Sequence, residues 1–96
     1  MCNAMMIDAK DNVIVAIEPI KKGDEVCYLC GGNEKRLTAL EDITIYHKLA
    51  SCDIKKGMPV IKYGEHIGIA TQDIQTGEHV HTHNVEGHRE DLEAKA

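Results

Sequence analysis

The chain has no Phe and no Trp, only two Pro, and no long apolar run. Each absence removes a class of protein. Without large aromatics, the core of this 96-residue chain must come from Ile, Val, Leu, Ala and Met. Apolar runs of only a few residues leave no membrane span. Positive charge is also short: the formal net charge is -5, whereas nucleic acids and anionic membranes need a dense basic patch. The opening "MCNAMMIDAKDNV" lacks the basic and long apolar regions of a signal peptide, so the default expectation is a cytoplasmic protein.

What remains is ordinary apolar content, 43%, weighted toward β-branched Ile and Val. These residues favour strands, so one small all-β domain is expected. Such a core is thin, and docking to a partner or self-association into a homo-oligomer would support it.

The most informative feature is repetition. "AIEPIKKGDEV" (16–26), "ASCDIKKGMPV" (50–60) and "ATQDIQTGEHV" (70–80) align without a gap. Ala16, Ala50 and Ala70 match, then Ile20, Ile54 and Ile74, then Gly23, Gly57 and Gly77, then Val26, Val60 and Val80. The unit reads as strand, turn, strand. The Gly closes the turn with a positive φ, and Ile and Val are buried anchors on either side. Starts 34 and then 20 residues apart do not suit an evenly spaced solenoid, so a barrel or clip of interlocked hairpins is expected. "NVIVAI" (12–17) reads as a strand with Val13, Val15 and Ile17 on one face. "CGG" opens a loop, "KRLTALEDI" has the residues of one or two helical turns, and the charged tail is a short helix or disordered. The expected layout is a lead over 1–10, the domain over 11–86 and the tail over 87–96.

Two patterns carry chemistry. Cys27 and Cys30 form a CxxC, with Cys52 and His47 the nearest further ligands for a metal. In a reducing compartment the four cysteines are expected as thiols, and inert loop thiols are the plainer reading of the pair. The second pattern is "GEHVHTHN", with His79, His81 and His83 at alternate positions. Val80 aligns with core residues, so alternation turns His79 and His81 outward, and His83 joins them if the strand continues. Imidazoles at this spacing stand about 6.5 to 7 Å apart. Three on one straight strand do not share an ion whose bonds are about 2 Å long, so a bend or further ligands are required. Such a row can bind a metal or an anion or move protons, and a solvated face that merely uses His is the alternative. His66 and His88 read as surface residues, and His47, beside Lys48, is ambiguous.

The stretch from His47 to Glu86 resembles the SAF domain of the altronate and galactarate dehydratase family. The resemblance is carried by Lys48, "VIKYG" (60–64), "IGIATQDI" (67–74) and "GEHVHTHN" (77–84), with "DNVIVAIEPIKKGDEV" similar to the family's first strand and turn. It implies a β-clip fold and a cytoplasmic hydro-lyase that takes water from a hexonic or hexaric sugar acid, giving a 2-keto-3-deoxy acid. It also implies a divalent metal, Fe2+ or Mn2+. Full-length dehydratases carry a much larger domain after this one, so the chain is expected to work with a large dehydratase subunit. Sulfolactate sulfo-lyase, with a small subunit of this kind, is the related alternative. A non-catalytic carbohydrate- or protein-binding module, as in sialic acid synthases and assembly chaperones, is the other. On this reading His81 and His83 are the catalytic candidates and His79, His81 and His83 the metal candidates. His47, Lys48, Lys62, Tyr63 and Asn84 are candidate substrate contacts.

Overall fold

A computed structural model describes residues 2–87. These form nine strands: β1 (Ala4–Met5), β2 (Val13–Ala16), β3 (Glu25–Cys30), β4 (Asn33–Thr38), β5 (Lys48–Ala50), β6 (Pro59–Lys62), β7 (Glu65–Ala70), β8 (His79–Val80) and β9 (Val85–Glu86). No helix occurs among the described residues, so the fold is all-β. The strands make antiparallel sheets in the orders β1-β2-β5-β8, β3-β4 and β6-β7-β9.

The repeat explains this architecture once a fourth copy is seen. Residues 39–49, "ALEDITIYHKL", share its register, with Ala39, Asp42 and Ile43 in place, Leu49 for the Val, and Tyr46 where the others have Gly. The four copies pair as two clips, 16–26 with 39–49 and 50–60 with 70–80. In the first clip Ile20 and Ile43 exchange backbone hydrogen bonds; in the second, Ile54 and Ile74 do so. The turn N–H of each copy reaches the leading Ala carbonyl of its partner. Gly23 donates to Ala39, Tyr46 to Ala16, Gly57 to Ala70 and Gly77 to Ala50, all at 2.7–2.9 Å.

Each clip has its own core. The first holds Ala16, Ile20, Val26, Ala39, Ile43 and Leu49, joined by Ala4, Ile14 and Tyr28. The second holds Ala50, Ile54, Val60, Ala70, Ile74 and Val80, joined by Val13. The expected face of β2 is therefore wrong. Val13 and Ile14 are both buried because the strand runs between two cores, while Ile17 is exposed. The helical turns expected in "KRLTALEDI" are absent. Gly31 (φ 58°) and Gly32 (φ 84°) close a two-residue hairpin, and β4 pairs with β3 along its whole length. Ala39 then begins the hidden copy. The lead segment is part of the domain, since β1 pairs with β2 and Ala4 is buried. The expected tail lies almost wholly outside the described residues.

The CxxC does not act as a pair. Three residues apart on a strand, Cys27 and Cys30 face opposite sides. Cys30 packs against the first core, and Cys27 is joined to Cys2 in a disulfide, contrary to the expectation of four free thiols.

Candidate functional site

Strand pairing brings two copies together at one edge. β5 ends the 39–49 copy and β8 ends the 70–80 copy, with Lys48 opposite Val80 and Leu49 opposite His79. Because Leu49 and Val80 are fully buried, the residues beside them in sequence, Lys48 and His79, are left half-exposed on the rim. His47 sits just before β5, after Tyr46, whose φ of 71° lies in the left-handed region that the other copies fill with Gly. Backbone strain of this kind collects at functional sites.

β8 is only two residues long, so the histidine row does not continue straight. The chain turns tightly over 81–84. Asn84 holds the turn: Oδ1 accepts from the His81 N–H at 3.0 Å, and Nδ2 donates to the His79 carbonyl at 2.8 Å. Asn84 is 0% exposed, so the substrate contact expected of it gives way to a positioning role. This turn supplies the bend that three histidines on one strand require.

Four imidazoles converge as a result. His47 Nδ1 lies 2.9 Å from His79 Nε2, a separation of 32 residues in sequence. The His47 ring stacks on His81 at 4.5 Å between centroids and on His79 at 5.1 Å, and His83 lies 5.4 Å from His79. Glu41 joins them: Oε2 accepts the His79 backbone N–H, and a carboxylate oxygen with one ring nitrogen each of His79 and His83 falls within 4.8 Å. Of the three histidines expected to share an ion, His79 and His83 are thus grouped with Glu41, while His81 stands across His47. Glu41 escaped sequence reading because the copy that carries it was not recognised; it occupies the third position of that copy.

The electrostatics favour the neutral form of His79 and His81. His79 is held below the ordinary histidine value of 6.5, first by burial and then by the neighbouring His47, His83 and His81, with Glu41 opposing. His81 is lowered by desolvation and then by His47, Lys48 and His83. Lys48 is lowered by burial and by Lys62. Neutral imidazoles keep a lone pair for a metal, and the donor set of imidazoles with one carboxylate suits a divalent first-row ion.

Beside this cluster a cleft of about 200 Å³ is lined by Lys48, Ile67, Val80, His81, Thr82 and Val85, among others. Lys62 and Tyr63 lie at the β6–β7 hairpin, where Tyr63 (φ 58°) and Gly64 (φ 75°) form the turn. The Gly64 N–H donates to buried Asp11 at 2.8 Å, so part of the "KYG" pattern serves the turn. Lys62 Nζ sits 4.5 Å from the Tyr63 ring centroid. His66 is exposed, as expected, and His88 is outside the described residues.

An all-β domain of paired clips with a histidine rim is the class these features define. Residues 2–88 match the altronate/galactarate dehydratase SAF domain, and the chain belongs to that family. It is 42% identical over 87 residues to the altronate dehydratase of Escherichia coli, covering 91% of this chain and 17% of that protein. Against the altronate dehydratase of Bacillus subtilis it is 36% identical over 93 residues, covering 97% and 18%. Against the (2R)-sulfolactate sulfo-lyase subunit alpha of Paracoccus pantotrophus it is 48% identical over 60 residues, covering 62% and 90%. The chain thus spans less than a fifth of the two dehydratases. No helix of the described residues is long and apolar enough to cross a membrane.

Proposed function

We propose that this chain is the SAF part of a cytoplasmic sugar-acid hydro-lyase of the altronate/galactarate type, and that its histidine rim is one wall of a site completed by a larger catalytic polypeptide. The observation that carries the reading is the convergence of His47, His79, His81 and His83, with Glu41, beside the half-buried Lys48. His79, His83 and Glu41 would hold a divalent ion, Fe2+ or Mn2+, with His47 and His81 alongside. Such an ion supplies Lewis-acid stabilisation of substrate oxygens when bound.

The residues of the chain divide the remaining work. Dehydration of a 2,3-dihydroxy acid needs a base for the C2 proton and an acid for the departing C3 hydroxyl. His81, at the cleft and held neutral, accepts or returns a proton at its ring nitrogen. Lys48, half-buried at the cleft, is placed to meet the substrate carboxylate. Tyr63 carries Lys62 against its ring and is 54% exposed, free to meet a bound partner.

A second reading keeps the same site and changes the leaving group. The sulfolactate sulfo-lyase subunit alpha of Paracoccus pantotrophus is covered to 90% of its length, against 17% and 18% for the dehydratases. In that case sulfite leaves, and the partner is the other sulfo-lyase subunit.

The test is to combine the chain, with Fe2+ or Mn2+, in parallel with a large dehydratase subunit and with the other subunit of a sulfolactate sulfo-lyase, and to assay hexonates, hexarates and sulfolactate in each mixture. Activity on a sugar acid that needs both polypeptides supports the first reading, and sulfite release supports the second. A His79→Ala/His83→Ala variant should bind the metal at least about tenfold more weakly. Unchanged metal content and unchanged turnover in that variant would sink the histidine assignment.

A further inference from the structure

A second cluster of potential ligands uses no residue of the histidine rim. Cys2 Sγ, Cys27 Sγ and a Glu34 carboxylate oxygen lie within 4.8 Å of one another, and Cys27 Sγ is 3.2 Å from Glu34 Oε2. The cysteines are joined in the disulfide form, but the S–S bond is not alone in holding them together. Asn3, next to Cys2, donates from Nδ2 to the Glu25 carbonyl at 3.1 Å, and its Oδ1 accepts the Cys27 N–H at 2.8 Å. These bonds clamp the N-terminal segment onto β3, so both sulfurs remain side by side when the bond is reduced. Glu34 faces Cys27 through the β3–β4 pairing, which puts Arg36 opposite Cys27 and Glu34 opposite Leu29.

We propose that the reduced Cys2–Cys27 pair and Glu34 form a second metal site, a thiolate–carboxylate site for a borderline-soft divalent cation such as Zn2+. Reduction of the disulfide by a small-molecule dithiol or phosphine adds two electrons and two protons and gives two thiols. Binding of the cation then releases the two thiol protons. In a reducing compartment the dithiol is the standing form, and paired cysteines there point to metal binding more than to a structural bridge. Two thiolates beside a carboxylate, one of them on buried Cys27, repel one another, and a divalent cation removes that cost. With Zn2+ the set carries one net negative charge, which Arg36 is placed to balance: Nε and Nη2 donate to Glu34, and Nη1 to Glu25. Two sulfurs and one oxygen suit tetrahedral zinc with a fourth position for water, and thiolate ligands select against Mg2+ and Ca2+. Cys30, facing the first core, and exposed Cys52 take no part.

The probe is Co2+, a spectroscopic substitute for Zn2+, titrated into the phosphine-reduced full chain. His79→Ala/His83→Ala protein serves as the background, so the histidine rim contributes no ligands. The expected result is a thiolate-to-cobalt charge-transfer band that saturates at one ion per chain and is displaced by Zn2+. The band should vanish in Cys2→Ser and in Cys27→Ser and in the oxidised protein, while Glu34→Gln keeps it with affinity at least about tenfold weaker. Cys2→Ser changes a half-buried residue outside both cores and keeps the test valid if Cys27→Ser does not fold. No charge-transfer band in the reduced protein, or a band that survives Cys2→Ser, would overturn the proposal.

Discussion

The two clips share one set of anchors and differ in how their turns are secured. In the second clip the aspartates act reciprocally: Asp53 Oδ1 accepts from the Thr76 N–H at 2.9 Å, and Asp73 Oδ1 from the Lys56 N–H at 2.8 Å. The first clip has half of this. Asp42 Oδ1 accepts from the Lys22 N–H at 2.8 Å, but Pro19 stands where the other aspartate would be, and Tyr46 stands where the turn glycine would be. The copy that loses its glycine is the one that brings Glu41, His47 and Lys48 to the rim. The last three positions of the repeat teach the same lesson. The final one is always a buried anchor, whereas the two before it read Asp24–Glu25, His47–Lys48, Met58–Pro59 and Glu78–His79. Burial fixes the anchor, and the half-exposed positions are free to carry chemistry.

Ile20→Ala in the first clip and Ile74→Ala in the second should each cost about 2 to 5 kcal/mol, because both side chains are about 1% exposed. A single urea transition that moves with either variant is expected, since β2 contributes to both cores. Two separate transitions would show that the clips unfold independently. The turn glycines come next. A Cβ at Gly77 would lie 2.2 Å from the Thr38 carbonyl oxygen, whereas one at Gly57 meets nothing within 4 Å, although φ is 93° and 89°. Gly77→Ala should therefore cost about 3 kcal/mol and Gly57→Ala about 1 kcal/mol. Equal losses in denaturant midpoint would mean that backbone strain, not the close approach, decides both.

Tyr46→Gly runs the other way. Removing a left-handed tyrosine should stabilise the fold by about 1 kcal/mol, read as a raised melting temperature. A loss of stability would mean that the exposed Tyr46 side chain contributes contacts worth more than its strain. The smallest expected effect is on pH. His79 and His81 are lowered in the folded state, so as pH falls below 6.5 the unfolded chain takes up protons that the folded chain refuses. Stability from this source is full above 6.5 and declines below it, until the lowered values are passed. His79→Gln should flatten that slope in denaturant midpoints measured between about pH 5 and 7.

Three copies of the repeat were legible because Gly, Ile, Ala and Val recur in one register. The fourth was hidden by Tyr46 and Leu49, and by a run, "KRLTALED", whose composition also suits a helix. The outward turn of His79 and His81 followed from Val80, but the end of the strand at Val80 did not, since a buried Asn84 closes the turn through bonds that no spacing reveals. The CxxC spacing makes no pair for a related reason: three residues apart on a strand, the two sulfurs lie on opposite faces.

Local requirements were therefore readable from residues alone. A positive φ calls for Gly, and an anchor in a thin core calls for Ile, Val or Leu, whatever the rest of the chain does. The pairing of copies, the meeting of Cys2 with Cys27 and the approach of His47 and Glu41 to His79 were decided only by the tertiary structure. The side-chain meetings span 25 to 38 residues, and they, like the pairing of copies, exist only when particular strands lie side by side in a particular register. That register is set by the packing of two cores as a whole, a property of the folded chain and of no single segment.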